Sequence, residues 1–181
     1  MALRTDFIRR CGIMARLGPR AFGLHADSQG CARIWQPAGN RPVLLLGNAA
    51  NAAAALDGNL EAAPSAVSHV VCVASSKNAQ LLSKRSSGSS TQFCRYPMSD
   101  ALSAGQVVNI QELLAEPLAT LADAMAPGDG GRAAVLVHCD MGVNRSPTLV
   151  LAFLVSQGLS LREAYTHVLR ARPGIDPLPG V

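Results

Sequence analysis

The organisation of this chain is set by one stretch, Val135-Leu-Val-His-Cys-Asp-Met-Gly-Val-Asn-Arg-Ser-Pro-Thr148. Its first residues are apolar, which predicts a buried strand that ends close to Cys139. A short loop containing Gly142 follows, and the apolar segment that continues from Arg145 to Val155 predicts a buried helix. The stretch therefore predicts a strand, a tight loop and a helix N-terminus in immediate succession.

A strand, a loop and a helix in this order predict a site for an anion. Several backbone N–H groups of such a loop point into one concavity, and the helix N-terminus adds partial positive charge. Gly142 permits a backbone conformation that a side chain would hinder. Five residues separate Arg145 from Cys139, and the planar guanidinium of Arg145 can hold two phosphate oxygens at once. A dianionic phosphate group fits these features.

The same positive field favours a cysteine nucleophile. The pKa of a free cysteine is about 8.5, and sites of this kind lower it to roughly 3.5–7.5. Cys139 is therefore predicted to be a thiolate that attacks phosphorus. His138 is expected to fix the loop by hydrogen bonds and to help stabilise the thiolate. The hydroxyl of Ser146 is expected to donate to the Cys139 sulfur, and the side chain of Asn144 can tie the loop.

The leaving oxygen of a phosphate ester needs a proton, which a carboxylic acid can supply. Asp100 is the best candidate, because it lies on a turn just after a predicted strand, 39 residues before Cys139. Asp140 is expected to turn its side chain outward while its backbone lines the loop. Asp123 lies on a predicted helix, and Asp129 lies in a loop that is expected to be remote from Cys139.

The rest of the chain predicts an α/β fold with a mostly parallel sheet, because apolar strand patterns alternate with helical ones. A serine-rich loop is expected over residues 75–91. Ser160 and Glu163 form a capping-box pattern at the start of the last helix. The predicted strands span residues 43–46, 69–74, 93–98 and 133–137, and the predicted helices span 49–56, 107–126, a segment from about 145 to 155, and one from 160 to the stop at Pro173.

Composition narrows the function classes. Residues 31–181 are almost balanced in charge, so they give no case for a nucleic-acid-binding face. The chain has five cysteines without a CxxC pair, which favours a reduced, cytoplasmic protein over a disulfide scaffold or a zinc module. No apolar run has the length of a membrane helix. A protein with no metal site and no integral membrane segment is therefore expected.

Residues 1–30 differ from the remainder, because they hold five arginines against two aspartates. Two interpretations fit this segment. It is either a basic, disordered tail or a mitochondrial transit peptide, which is typically arginine-rich and amphipathic. The second interpretation would replace the cytoplasmic localisation by a mitochondrial one.

The motif His138-Cys-(five residues)-Arg145-Ser resembles the signature of the cysteine-based protein tyrosine phosphatases, and of the dual-specificity phosphatases in particular. Five further segments resemble that family: Val43–Asn51, His69–Ala74, Arg95–Asp100, Ser160–Tyr165 and Arg170–Pro173. The resemblance implies a catalytic domain over residues 31–181, short at its C-terminus. It also implies a phosphate cradle built from Asp140, Met141, Gly142, Val143, Asn144 and Arg145, and no metal or organic cofactor.

The resemblance implies an enzyme that hydrolyses phosphotyrosine and phosphoserine or phosphothreonine in protein substrates. Cys139, Arg145, Ser146 and Asp100 take the catalytic roles described above. The loop holds no lysine, whereas inositol-lipid phosphatases of this superfamily often place lysines there, which favours a phosphoprotein substrate. Two alternatives stay open: a catalytically weak or inactive module that binds phosphorylated partners, and a phosphatase of a non-protein phosphate ester.

Overall fold

Apolar segments form a five-stranded sheet in the computed structural model, which describes residues 30–99, 110–127 and 133–177. The strands are β1 (Ala32–Trp35), β2 (Val43–Gly47), β3 (Val67–Ala74), β4 (Gln92–Met98) and β5 (Ala134–His138). Their spatial order is β1-β2-β5-β3-β4. Strand β1 is antiparallel to β2, and the other neighbours are parallel. The predicted α/β architecture with a mostly parallel sheet is thus confirmed.

Helices connect and cover these strands. They are α1 (Ala49–Leu56), α2 (Lys77–Arg85), a 3-10 turn (Ser86–Gly88), α3 (Ile110–Ala124), α4 (Arg145–Ser156) and α5 (Leu161–Ala171). The predicted capping box of α5 is present, with the Glu163 N–H donating to the Ser160 hydroxyl. A second capping box, which the sequence analysis did not identify, joins Asn48 and Asn51 at the start of α1. Helix α3 continues through Pro117.

The central strands β2 and β5 are buried along their whole length, so their side chains fill both faces of the sheet. One face is packed by α3, α4 and α5 and the other by α1 and α2. Successive residues alternate between the two layers: Leu44 and Leu46 belong to the first, Val43 and Leu45 to the second. Burial of each such side chain stabilises the folded state by about 1.5–3 kcal/mol. The packed core therefore holds the ends of the strands in defined positions.

The prediction of a serine-rich loop over residues 75–91 was wrong, because residues 77–85 form α2. Ser76 caps this helix by accepting a hydrogen bond from the Ala79 N–H at 3.2 Å. Ala79 and Leu82 pack into the core, while the polar residues face solvent. Packing of two side chains therefore stabilises a helix whose overall composition is typical of a loop.

In a fold of this topology, one edge of the sheet is the expected position of a functional site. The carboxyl ends of β2, β5 and β3 meet there, because these strands are parallel. Gly47 at the end of β2 lies beside His138 at the end of β5, and Cys72 of β3 flanks His138 on the other side. Within the described ranges, no helix is both long and apolar enough to cross a membrane.

Candidate active site

The loop that follows β5 holds the predicted site residues together. Cys139 comes directly after the strand, and α4 begins at Arg145. Both residues are almost fully buried, with only 2% and 3% of the whole residue exposed. Residues 140–144 therefore form a short turn above two side chains that a buried strand and a buried helix hold in place.

The loop is held open from outside, because its backbone carbonyls all bond away from the concavity. Within one trans peptide unit the C=O and N–H groups point in opposite directions, so these contacts turn the N–H groups of the loop inward. The Gly142 N–H, for example, donates to the Cys139 sulfur at 3.2 Å. The carbonyl contacts run from Ala49 N–H to Asp140 O (3.1 Å), from Arg172 to Met141 O (3.2 Å) and Gly142 O (2.9 Å), from Asp176 N–H to Val143 O (2.7 Å), and from Thr148 N–H to Asn144 O (3.2 Å).

Gly142 is required by both conformation and space. Its φ is 71°, in the left-handed region that residues with side chains rarely adopt. A Cβ atom at this position would lie 2.5 Å from the carbonyl oxygen of Gly47 and 2.7 Å from the Arg172 guanidinium. The close approach lets the loop pack against the end of β2, so that the Gly142 N–H turns towards the cysteine.

The thiol of Cys139 is surrounded by hydrogen-bond donors. The Gly142 N–H and the Ser146 hydroxyl each donate to the sulfur at 3.2 Å. Burial is the largest effect and by itself raises the pKa of Cys139. The Ser146 hydroxyl and N–H, the Gly142 N–H and the charge of Arg145 together outweigh burial, so the pKa is lowered. The surroundings of this sulfur favour its thiolate.

The other described cysteines show the opposite behaviour. Burial raises the pKa of Cys31 and of Cys72 to about 11, and it also raises the pKa of Cys94. Cys72 is a neighbour of Cys139 and just as buried, yet the hydrogen bond that favours its thiolate comes from one backbone N–H, that of Ala74. Among the described cysteines, Cys139 is thus the one whose environment favours a nucleophile.

Replacing Ser146 by alanine tests this description. Because the serine hydroxyl stabilises the thiolate, we expect Ser146→Ala to raise the pKa of Cys139 and therefore to slow its alkylation near neutral pH. The measurement is the rate of alkylation by iodoacetamide across a pH series. Ser156→Ala is the matched control, because its hydroxyl donates to Phe153 O on the same helix. An unchanged alkylation profile in Ser146→Ala would contradict the role of this hydroxyl.

Arg145 is held at both ends of its guanidinium. Its Nη1 donates to the Met98 carbonyl at the end of β4, at 3.2 Å. Its Nη2 donates to Oδ2 of Asp140 at 2.8 Å. The expectation that Asp140 turns its side chain outward was therefore wrong. The carboxylate faces the arginine, and its other oxygen accepts a hydrogen bond from the Ser76 hydroxyl.

The side chains of His138 and Asn144, which were both expected to support the loop, differ in their hydrogen bonds. Burial lowers the pKa of His138 to about 4, so the imidazole is neutral at pH 7. Its Nδ1 lies 3.0 Å from the Cys139 carbonyl, which suits a neutral ring donating from that nitrogen. The side-chain oxygen of Asn144 is buried without a hydrogen-bond partner in the described part of the chain. The first N–H groups of α4 are not capped by the Asn144 side chain.

Two supporting residues were missed in the sequence. Arg172 was interpreted only as part of the Arg-Pro stop after the last helix, yet it is 4% exposed and its guanidinium holds two loop carbonyls. Ser76 lay in the supposed loop and positions Asp140. A buried arginine 30 residues after Gly142 leaves no local signal, because the contact depends on the tertiary fold.

Asp100, the predicted general acid, lies outside the described residues. Strand β4 ends at Met98, whose carbonyl contacts Arg145. The chain therefore leaves the sheet next to the arginine two residues before Asp100. In the described residues, no group of three or more His, Cys, Asp and Glu side chains could hold a metal ion.

A buried cysteine at the end of a strand, followed by a loop and a helix N-terminus, is an arrangement suited to binding an anion. The family model of the dual specificity phosphatase catalytic domain matches residues 51–180, so the chain belongs to this family.

Curated relatives match a short segment. Protein phosphatase Slingshot homolog 3 of Rattus norvegicus is 51% identical over 47 residues, which cover 25% of this chain and 7% of that protein. Dual specificity protein phosphatase 5 of the same species is 40% identical over 50 residues, covering 27% of this chain and 12% of that protein. The chain thus matches only about a tenth of the length of these relatives.

Solved structures share the fold over a larger part. Human DUSP28 has a TM-score of 0.54 and 26% identity, over 76% of this chain and 81% of that one. The human tyrosine phosphatase-like serine/threonine/tyrosine-interacting protein has a TM-score of 0.60 at 19% identity, covering 84% and 90%. The second likeness extends to the fold alone.

Proposed function

We propose that this chain is a protein phosphatase that hydrolyses phosphotyrosine and phosphoserine or phosphothreonine through a cysteinyl-phosphate intermediate. One observation carries the proposal: the Cys139 sulfur accepts hydrogen bonds from Ser146 and Gly142 at 3.2 Å, beside the buried charge of Arg145. This arrangement suits a thiolate nucleophile under a phosphate group. Membership of the dual specificity phosphatase family supports a phosphoprotein as substrate.

In the first step, the phosphate group binds with its oxygens on the loop N–H groups and on the guanidinium of Arg145. The Cys139 thiolate attacks phosphorus, and the S–P bond forms as the bond to the ester oxygen breaks. Asp100, in its acid form, gives a proton to the leaving oxygen. The products are a free side-chain hydroxyl and a phosphorylated cysteine.

In the second step, water attacks the phosphorus of the cysteinyl phosphate. Asp100, now a carboxylate, takes a proton from that water as the new P–O bond forms. The S–P bond breaks and Cys139 leaves as a thiolate, which the Ser146 hydroxyl stabilises by the hydrogen bond seen in the structure. Inorganic phosphate is released, and Asp100 is again protonated.

The role of Asp100 gives a prediction about leaving groups. We expect Asp100→Asn to slow hydrolysis of phenyl phosphate by roughly 10²- to 10³-fold, because the departing phenoxide is basic and needs the proton. p-Nitrophenyl phosphate, with a less basic leaving group, should be affected much less. The measurement is kcat on both esters, with Asp123→Asn as a control on helix α3. Equal losses on the two esters would move the acid role to another carboxyl group.

The proposed function is tested on paired phosphopeptides. The purified chain, with reductant and a metal chelator, should release inorganic phosphate from a peptide that carries phosphotyrosine and from matched peptides that carry phosphothreonine or phosphoserine. Acid quenching during turnover should trap phosphate on Cys139, which mass spectrometry can locate. A folded chain that binds the peptides without releasing phosphate would overturn the enzymatic proposal and favour a phospho-binding module.

A further inference from the structure

The two nitrogens of the Arg145 fork have partners of different kinds. Nη1 donates to the carbonyl of Met98, a backbone group at the end of β4, at 3.2 Å, and to the Ser75 hydroxyl at 3.5 Å. Nη2 bonds to Asp140, a side chain that is still 27% exposed, whereas that of Arg145 is 4% exposed. Nη1 is thus held by the backbone of β4, and Nη2 is paired with a side chain that can rotate towards solvent.

A carboxylate at this position is unfavourable for binding a phosphate group in the loop. Asp140 is the residue next to Cys139, and its Oδ2 takes up an N–H donor of the arginine that the proposed function assigns to phosphate oxygens. Carboxylate and phosphate oxygens both accept charge-assisted hydrogen bonds from guanidinium groups. The two anions therefore compete for the same donor.

The contact is built into the fold. Ser76 caps helix α2 through the Ala79 N–H, and its hydroxyl also donates to Oδ1 of Asp140. The carboxylate is thereby oriented with Oδ2 towards Arg145. In addition, the Asp140 carbonyl is fixed by the Ala49 N–H, so its backbone does not depend on the ion pair.

We propose that Asp140 is an internal competitor for the substrate phosphate at Arg145, and that it sets the affinity of the site for phosphate groups. The proposal rests on the proposed function. When a phosphate group enters, its oxygen replaces Asp140 Oδ2 on Nη2, while the Met98 carbonyl keeps the guanidinium in place. Asp140 can remain on Ser76 through Oδ1 and turn Oδ2 to solvent.

The competition has a defined kinetic signature. The carboxylate must leave Nη2 before either the substrate or the product phosphate binds there, so it weakens both to a similar extent. It touches neither the sulfur nor the leaving oxygen, so the chemical step is little affected. Removal of the carboxylate should lower KM and the inhibition constant of phosphate together and leave kcat within about twofold.

The experiment compares Asp140→Asn with the wild type at fixed ionic strength, because charge effects are screened by salt. Binding of tungstate, an inert oxyanion, is measured by calorimetry. In parallel, KM and kcat are measured for p-nitrophenyl phosphate. We expect Asp140→Asn to bind tungstate roughly three- to thirtyfold more tightly and to lower KM by a similar factor. Asp140→Ala, which removes the carboxylate with a smaller side chain, should change both in the same direction.

Asp57→Asn is the matched control. It removes the same charge from an exposed ion pair with Arg85, away from the loop, and should leave tungstate affinity and KM unchanged. Thermal unfolding establishes that each variant is folded.

The outcomes separate the inference from the proposed function. Unchanged or weaker tungstate binding in both Asp140 variants, with hydrolysis retained, would overturn the inference alone. Equal tightening in Asp57→Asn would also overturn it, because a general charge effect would then be responsible. If neither wild type nor variants bound tungstate or hydrolysed the ester, the phosphate site itself would be wrong and both proposals would fall.

Discussion

Cys139→Ser is expected to abolish hydrolysis of p-nitrophenyl phosphate, with a loss of at least about 10⁴-fold in kcat. A serine hydroxyl keeps its proton at neutral pH, and the donors around the sulfur that favour a thiolate cannot ionise an alcohol whose pKa lies far higher. The expected loss is large because the change removes the nucleophile and also the intermediate. Steady-state kinetics with reductant and a metal chelator provide the measurement.

Binding should survive this change. The loop carbonyl contacts, the uncapped start of helix α4 and Arg145 do not involve the sulfur, so Cys139→Ser should still bind a phosphopeptide. Cys94→Ser is the matched control, because Cys94 lies on β4 with a raised pKa and should retain full activity. Residual turnover of Cys139→Ser above about one per cent would point to a different nucleophile.

The strand, loop and helix of the site could be predicted from the sequence because their determinants are contiguous. The apolar run ending at His138, the glycine at 142 and the helical segment from Arg145 all lie within one stretch, and the structure has them as β5, a loop with φ of 71° at Gly142, and α4. Local backbone conformation depends mostly on near neighbours, so a short segment was sufficient.

Contacts between distant segments could not be predicted in this way. Asp140 was expected to face outward, but Ser76, 64 residues earlier, and Arg145 draw its carboxylate inward. Ser76 itself was placed in a loop, because the two apolar residues that stabilise α2 are too few to give a helical pattern. Arg172 likewise reaches the loop only after α5 has folded onto the sheet. A side chain acquires such a role from the fold as a whole.

Arg145→Lys is expected to lower kcat/KM by roughly 10²- to 10³-fold, although it preserves the positive charge. The planar guanidinium presents two N–H donors in a fixed orientation, with Nη1 anchored on the Met98 carbonyl. A lysine ammonium can reach one oxygen as a point charge, but it cannot both hold that carbonyl and donate two parallel bonds to the phosphate. Both the orientation and the stabilisation of developing charge are therefore lost.

Steady-state kinetics on a phosphotyrosine peptide and on p-nitrophenyl phosphate provide the measurement, and Arg170→Lys on the exposed side of α5 is the control. The pattern across both substrates matters, because the phosphate group is common to them. Similar losses are expected for the peptide and the small ester. A loss confined to the peptide would mean that Arg145 recognises the chain around the phosphate, and a loss smaller than about fivefold would show that positive charge alone is sufficient.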